Sequence, residues 1–523
     1  MKTTLHRRAA ERAGFQPLWA FAALAAVTFA VLWLSAAAAG GPDVSWSEWL
    51  AAAPLDDAVS DSAEVVAAVL AIAVTVVAIV VELAANRYSH LITRLFVREP
   101  ANFLVLGLFV VTTLQCLWFG PWMAEGAEPG AGLPSLLTMS LVTLSLLSLL
   151  PYVYFVFNFL SPISIIEKIY QNACRTMQRA TRGRRAGARE SVRQGVDELQ
   201  DVARSAIVRG DRDIAMVAVD ALAELVYRQA ELRERLPPEW FLIEGQLARD
   251  PDFVALADES LAEMAADGTW LEAKIFRRLV ALVGQSAGQL RDVANLVTIH
   301  TQRIAVELGS RREALMTLCI RAFNSYLRTT LNARDMRTAY YVQNQYRLVA
   351  EHLLETRDSV RAHEIAGHFE YYGQLAYRAG LPFLLETAAH DIAQLVAAAL
   401  DTHDAVVDRL LDRLLDLDQE IREEAQEESL LGVRRAQIRM AALLIHRGQT
   451  ERARRIARDL ELERWERLQR LREGLLKDER LQYWELIDRG MNFAYLPPEL
   501  RPHLATLFEW IRPSRVEAPG TSA

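Results

Sequence analysis

The chain reads as an all-α protein in two parts: a four-helix transmembrane bundle, then a cytoplasmic α-helical array. Three observations predict this. Four long apolar runs, Leu18–Ala39, Ala63–Leu83, Phe103–Trp118 with its flanks and Leu133–Leu160, fill the first third. Helical periodicity with few Gly or Pro and no alternating Val/Ile/Thr runs fills the rest. The segments between the apolar runs alternate in charge. About 20 apolar residues make a helix long enough to cross the hydrocarbon core, where an open backbone would leave polar groups unsatisfied.

The elements follow in order. Residues 1–16 form a basic tail, with Lys2, Arg7, Arg8 and Arg12. Spans are expected over about 18–39, 63–85, 102–122 and 133–160. The first run has a basic start and small residues at Ser35–Ala39, as a cleaved signal would. It is longer than a usual signal core and spans follow it, so retention as the first helix is expected. The first loop is acidic (Asp43, Glu48, Asp56, Asp57), the second basic (Arg87, Arg94, Arg98), the third carries Glu125 and Glu128. Basic loops mark the cytoplasmic side, so both termini are expected there. Trp19, Trp33, Trp46, Trp49, Trp118, Trp122, Tyr152 and Tyr154 lie mostly near run ends, where amphipathic rings anchor at headgroups.

Between the second and third runs, Leu83, Tyr88, Leu91, Ile92, Leu95 and Phe96 continue a helical spacing until Pro100 breaks it and Asn102 begins the next helix. This predicts a basic amphipathic elbow at the inner headgroups. The residues Val81-Glu82-Leu83-Ala84-Ala85, Tyr88-Ser89, Leu95-Phe96-Val97-Arg98-Glu99 and Val105-Leu106-Gly107-Leu108-Phe109 resemble a family of bacterial predicted membrane proteins, domain of unknown function 2254. Glu82 stands where that family usually has Gln, and the proline it places after Ser89 is absent. The resemblance implies a multi-pass inner-membrane protein and brings no activity with it.

Polar residues inside the runs are the intramembrane candidates: Glu82, Gln115, Thr138, Ser145 and Ser148, with Thr112 and Thr113 of similar standing. An ionisable group in a span is costly and is read first as functional. Glu82, however, sits near a span end about one turn from Arg87, which fits an interfacial carboxylate. Thr138, Ser145 and Ser148 share one helical face, expected as packing glue between spans in preference to a pore lining. Pro151 predicts a kink in the fourth span, and Ser161-Pro162 its end.

A basic juxtamembrane segment, 161–195, follows. Lys168, Arg175, Arg179, Arg182, Arg184, Arg185 and Arg189, with Arg87, Arg94 and Arg98 of the elbow, are candidate contacts to anionic lipid headgroups, each adding about 1 kcal/mol near the surface. Gly183 and Gly187 suggest a linker.

Residues 196–512 read as an irregular α-solenoid of tetratricopeptide-like hairpins. The clearest is Ala441–Leu460, turning at Gly448 with Ala453, Ile456 and Ala457 facing back. Val202–Leu222 turns at Gly210, and Tyr340–Ala376 has no glycine at its turn. Val407, Leu410, Leu414, Leu417 and Ile421 carry a two-heptad seam, expected as a buried face of the solenoid. Residues 513–523 read as a disordered tail.

No catalytic set stands out. His363 and His368 are five apart, which splays them around a helix, whereas a zinc-protease helix needs them four apart. Glu386 and His390 share a face four apart. With His368 they are expected to form an interhelical polar lock. Three scattered cysteines, Cys116, Cys174 and Cys319, frame neither disulfides nor zinc. The net charge of −8 does not suggest nucleic acid. We therefore expect no enzyme, no cofactor and no metal. The partners expected are the anionic bilayer and either another protein or a second copy of the chain. The alternative is a homo-oligomeric channel or transport-type protein gated by its cytoplasmic helices.

Overall fold

In the computed structural model the described residues are 26, 28, 55–87, 96–97, 99–124, 132–159, 161–183, 187–418, 430–478, 480–481, 489 and 492–511. Among them every regular element is helical. The first apolar run lies outside them apart from Ala26 and Thr28, both helical. Most of the elbow (88–95 and Arg98), Ile421 and the tail also lie outside. The chain divides into two compact units, Met1–Asn172 and Ala173–Ala523, each described here by itself.

In the first unit α1 (Leu55–Arg87), α2 (Pro100–Ala124) and α3 (Gly132–Phe159) each pack on the other two. Helix α1 begins well before the apolar run at Ala63. Helix α2 begins at Pro100, because a proline lacks only a donor that the first turn cannot use. Helix α3 runs through Pro151. Ala63, Val66, Phe109, Cys116 and Val142 form the shared core. Ile72, Phe103, Leu104, Trp118, Leu150 and Phe157 are exposed on the outside. A bundle that is apolar both inside and outside is what a lipid solvent selects. Tyr152 departs from the anchor expectation. It is buried, and its hydroxyl donates to Asn102 Oδ1 at 3.2 Å. Helix α4 (Pro162–Ala180) starts at Pro162 and buries Ile165, Ile169, Ala173, Met177 and Ala180 at intervals of three or four.

The second unit is a two-layer array. Its helices are α5 (Ala188–Arg209), α6 (Arg212–Leu232), α7 (Asp258–Asp267), α8 (Trp270–Ser286), α9 (Arg291–Glu307), α10 (Glu313–Asn332) and α11 (Met336–Glu355). After these come α12 (Ser359–Arg378), α13 (Pro382–Thr402), α14 (Asp404–Leu415), α15 (Leu431–His446), α16 (Thr450–Leu460), α17 (Trp465–Lys477) and α18 (His503–Ile511). One layer stacks α6, α9, α11, α13, α15 and α18 side by side, and the other α5, α8, α10, α12, α14 and α16. Successive helices alternate between layers over most of this run, so the core is a continuous seam between them.

Six of the turns share one closure. The amide of Asp211, Thr269, Asp335, Asp358, Leu381 or Gln449 donates to the carbonyl five residues back, at 2.8–3.0 Å. This bond requires a left-handed residue just before it. Gly210, Gly268, Gly380 and Gly448 supply it in four turns, but Arg334 (φ 53°) and Arg357 (φ 65°) do so in the other two. All three expected hairpins are present, and the one without a turn glycine closes on Arg357.

Four described helices are long and apolar enough to span, but the fourth is α13. Its apolar stretch is 67% buried within the array, against 11%, 22% and 28% for the stretches in α1, α2 and α3. It has neighbours from both layers (α11, α12, α14 and α15), so its apolar character belongs to a protein core. Val407, Leu410, Leu414 and Leu417 are buried in that same core.

Candidate functional site

Inside the bundle the hydroxyls face one another. Thr112 and Ser145 bring their Oγ atoms to 2.8 Å, joining α2 to α3. Thr112 also donates to Leu108 O at 2.8 Å, and Ser148 donates to Ser145 O at 2.7 Å. Thr138 is buried on the same face and Gln115 is half-buried. Glu82 is exposed on the outer side of α1. The five intramembrane candidates therefore do not converge on one site.

At the bundle's other polar node, Asn102 is buried and donates from Nδ2 to Phe96 O, fixing the entry to α2. Lys168 donates to Glu99 at 2.7 Å and lies 3.6 Å from the Phe159 ring centroid, which itself meets Phe96 edge-on. Lys168 is thus paired with Glu99 within the unit. Arg189 is also engaged, donating to Leu242 O. Arg175, Arg179 and Arg182 are exposed on α4 and just beyond it. Arg94, Arg98, Arg184 and Arg185 lie outside the described residues, as does the side chain of Arg87.

In the array the expected lock is two locks. His368 on α12 meets Tyr346 OH at 2.9 Å and the Asn324 amide at 3.3 Å, tying α10, α11 and α12. Burial lowers its pKa, opposed by Glu364. His363 faces elsewhere, toward Arg413 at 3.4 Å. The second lock centres on α13. Arg435 donates to Glu386 at 2.7 Å, and His390 Nε2 stands 3.9 Å from the same carboxylate. Arg439 Nη1 reaches His390 Nδ1 at 3.3 Å and Phe493 O at 3.1 Å. Arg489 holds Asp391 at 2.5 and 3.1 Å and donates to Tyr340 O at 3.1 Å. The His390 and Phe493 rings stack at 4.0 Å. Burial raises the Glu386 carboxyl against the pull of Arg435. The same helices approach so closely that a Cβ at Gly432 would overlap the Glu386 side chain. His368 lies on α12 and Glu386 on α13, and the two helices present them to different neighbours.

A third network was not anticipated. Lys274, fully buried on α8, reaches Asp250 at 2.9 Å, Asp252 at 2.8 Å and Asp197 at 2.8 Å. Arg193 and Arg278 close the set at 2.8 Å from Asp250 and Asp197 respectively. Burial pushes Asp250 up, but the Asp252 amide, Lys274 and Arg193 outweigh it and hold the carboxyl below its usual value. The available signal was Lys274 set among Trp270, Leu271, Ala273, Ile275 and Phe276 with only Glu272 as a polar neighbour in that stretch. Nearby, a groove of about 610 Å³ runs between α7, α8 and α10, lined by Met264, Phe276, Val280, Leu318, Glu263 and Arg321 among others. Among the described residues no three His, Cys, Asp or Glu side chains are grouped to hold a metal.

Residues 11–245 match the family described as "Predicted membrane protein (DUF2254)". The resemblance seen around the second loop thus holds, and it extends past the bundle through the α5–α6 hairpin, further than the sequence reading carried it. No curated protein matches the chain. One solved structure, described as "Circular tandem repeat protein with novel repeat topology and enhanced subunit contact surfaces", aligns over 60% of this chain and 84% of its own length. Its identity is 17% and its TM-score 0.29, a level that establishes no common fold.

Proposed function

We propose that this chain, whose residues 11–245 carry the pattern of the predicted-membrane-protein family, is a non-enzymatic tether. It crosses the bacterial inner membrane four times with both termini in the cytoplasm. There it holds the helical array against the inner face for binding to a protein partner.

The observation that carries this reading is the contrast between the two units. The described spans expose Ile72, Phe103, Trp118 and Leu150, whereas the array buries its own apolar helix α13. One surface suits lipid and the other water. The array's groove, lined by apolar residues together with Glu263 and Arg321, suits an amphipathic helix of a partner. Thr112 and Ser145 bond to each other and Ser148 to the backbone of its own helix, which favours a packed tether over a conducting path.

Reporters active only outside the cytoplasm, fused after Trp46 or Glu128, are expected to score positive. Fusions after Arg94 or Arg189 are expected to score negative. A positive score after Arg189 would overturn the orientation. Particles imaged in mild detergent are expected to lack an axial aqueous path, and a ring around such a path would favour the channel alternative.

A further inference from the structure

We propose that the cleft beside His390 binds a small monocarboxylate with a short apolar body. The cleft, of about 130 Å³, lies between α13, α15 and the segment before α18. Arg439, His390 and Gln394 give it a polar end, and Ala397, Met440 and Leu500 are among its apolar walls.

Charge accounting carries the argument. Three arginines surround His390. Arg435 is taken by Glu386 and Arg489 by Asp391. Arg439 has no carboxylate within ion-pair reach among the described residues. Its Nη1 meets Phe493 O and His390 Nδ1, both neutral acceptors. A guanidinium removed from water without an anion is expensive. Its pKa is accordingly lowered to about 10, by burial first and then by Arg435. One bound negative charge would offset this.

The imidazole adds direction. Because Nδ1 accepts from Arg439, the ring proton sits on Nε2. That nitrogen is buried and makes no hydrogen bond, the Glu386 carboxylate standing 3.9 Å away. Stacking on Phe493 fixes the ring. A guanidinium lining the cleft beside an imidazole suits a planar carboxylate.

Size and lining narrow the class. Pockets for drug-sized ligands run from about 300 Å³ upward, so a nucleotide is too large. One cation left uncompensated among the described residues matches a monoanion better than a dianion such as phosphate. Mostly apolar walls favour a hydrocarbon body.

The test uses the full chain in mild detergent, titrated calorimetrically with butyrate, inorganic phosphate and n-butanol. Butyrate is expected to bind saturably. Phosphate and butanol are expected to bind at least about tenfold more weakly, the range a charged hydrogen bond spans. Arg439→Gln is expected to weaken butyrate by about tenfold or more. Ala397→Leu, which fills the cleft and leaves every charge in place, is expected to abolish binding, and it decides the matter if Arg439→Gln does not fold. Butyrate binding equal to that of butanol, or undiminished in Ala397→Leu, would sink the proposal. Phosphate binding tighter than butyrate would overturn the carboxylate assignment.

Discussion

Lys274 is a charge with no access to water, and it is stable only because Asp197, Asp250 and Asp252 surround it. Removing one partner of such a set leaves buried charge uncompensated and typically costs about 3–5 kcal/mol. Lys274→Met is therefore expected to lower the unfolding free energy by about 3 kcal/mol, measured by chemical denaturation of the detergent-solubilised chain. Exposed Arg454 pairs with Glu451 on the surface, and Arg454→Gln is expected to change stability by less than about 1 kcal/mol. His390 makes a prediction in pH. Burial pushes its pKa well below the ordinary 6.5, and Arg439, Arg435 and Arg489 add to this. The nearby Glu386 carboxylate pulls the other way. The folded ring stays neutral where the unfolded one takes a proton. Its contribution is thus present above pH 6.5 and lost as pH falls below it, at no more than about 1.4 kcal/mol per pH unit. His390→Phe is expected to flatten the fall in melting temperature between pH 7 and pH 5. An unchanged pH profile would show that another group, such as the similarly lowered His368, governs it.

At the scale of elements, the array repeats a closure and not a sequence. The five-back bond at six turns needs a left-handed residue, which Gly adopts freely and other residues adopt at about 1–2 kcal/mol. Gly448→Ala is expected to destabilise by about 1 kcal/mol, and Arg357→Gly to stabilise by up to about 1 kcal/mol, both read from denaturation midpoints. Equal effects of opposite placement would show that turn strain does not limit these hairpins. Between spans, Thr112→Val removes the bond to Ser145 while keeping shape. Hydrogen bonds between spans contribute about 0.6 kcal/mol on average. A small loss of thermal stability in detergent is expected. Unchanged stability would mean that the Thr112–Ser145 contact does not hold α2 to α3. Helix α13 shows where composition misleads. A run rich in Ala and Leu meets the length and apolarity of a span, yet His390 and Asp391 within it are held by Arg439 and Arg489. Only neighbours from two layers distinguish a core helix from a membrane one.

For the whole molecule, the sequence by itself determined that helices fill it and that its opening third is apolar enough for lipid. Those are local properties: run length, period and turn chemistry are written residue by residue. The Gly210 and Gly448 hairpins were readable for the same reason. What only the tertiary structure decided is which side chains meet. Tyr152 turned inward to Asn102, Lys168 to Glu99, and His368 away from Glu386 and His390. None of these follows from spacing, because each partner lies on another part of the chain. The two-layer stacking, and an Arg439 with no carboxylate partner among the described residues, arise the same way. A charge is paired or orphaned by what the opposite helix presents, and that choice belongs to packing.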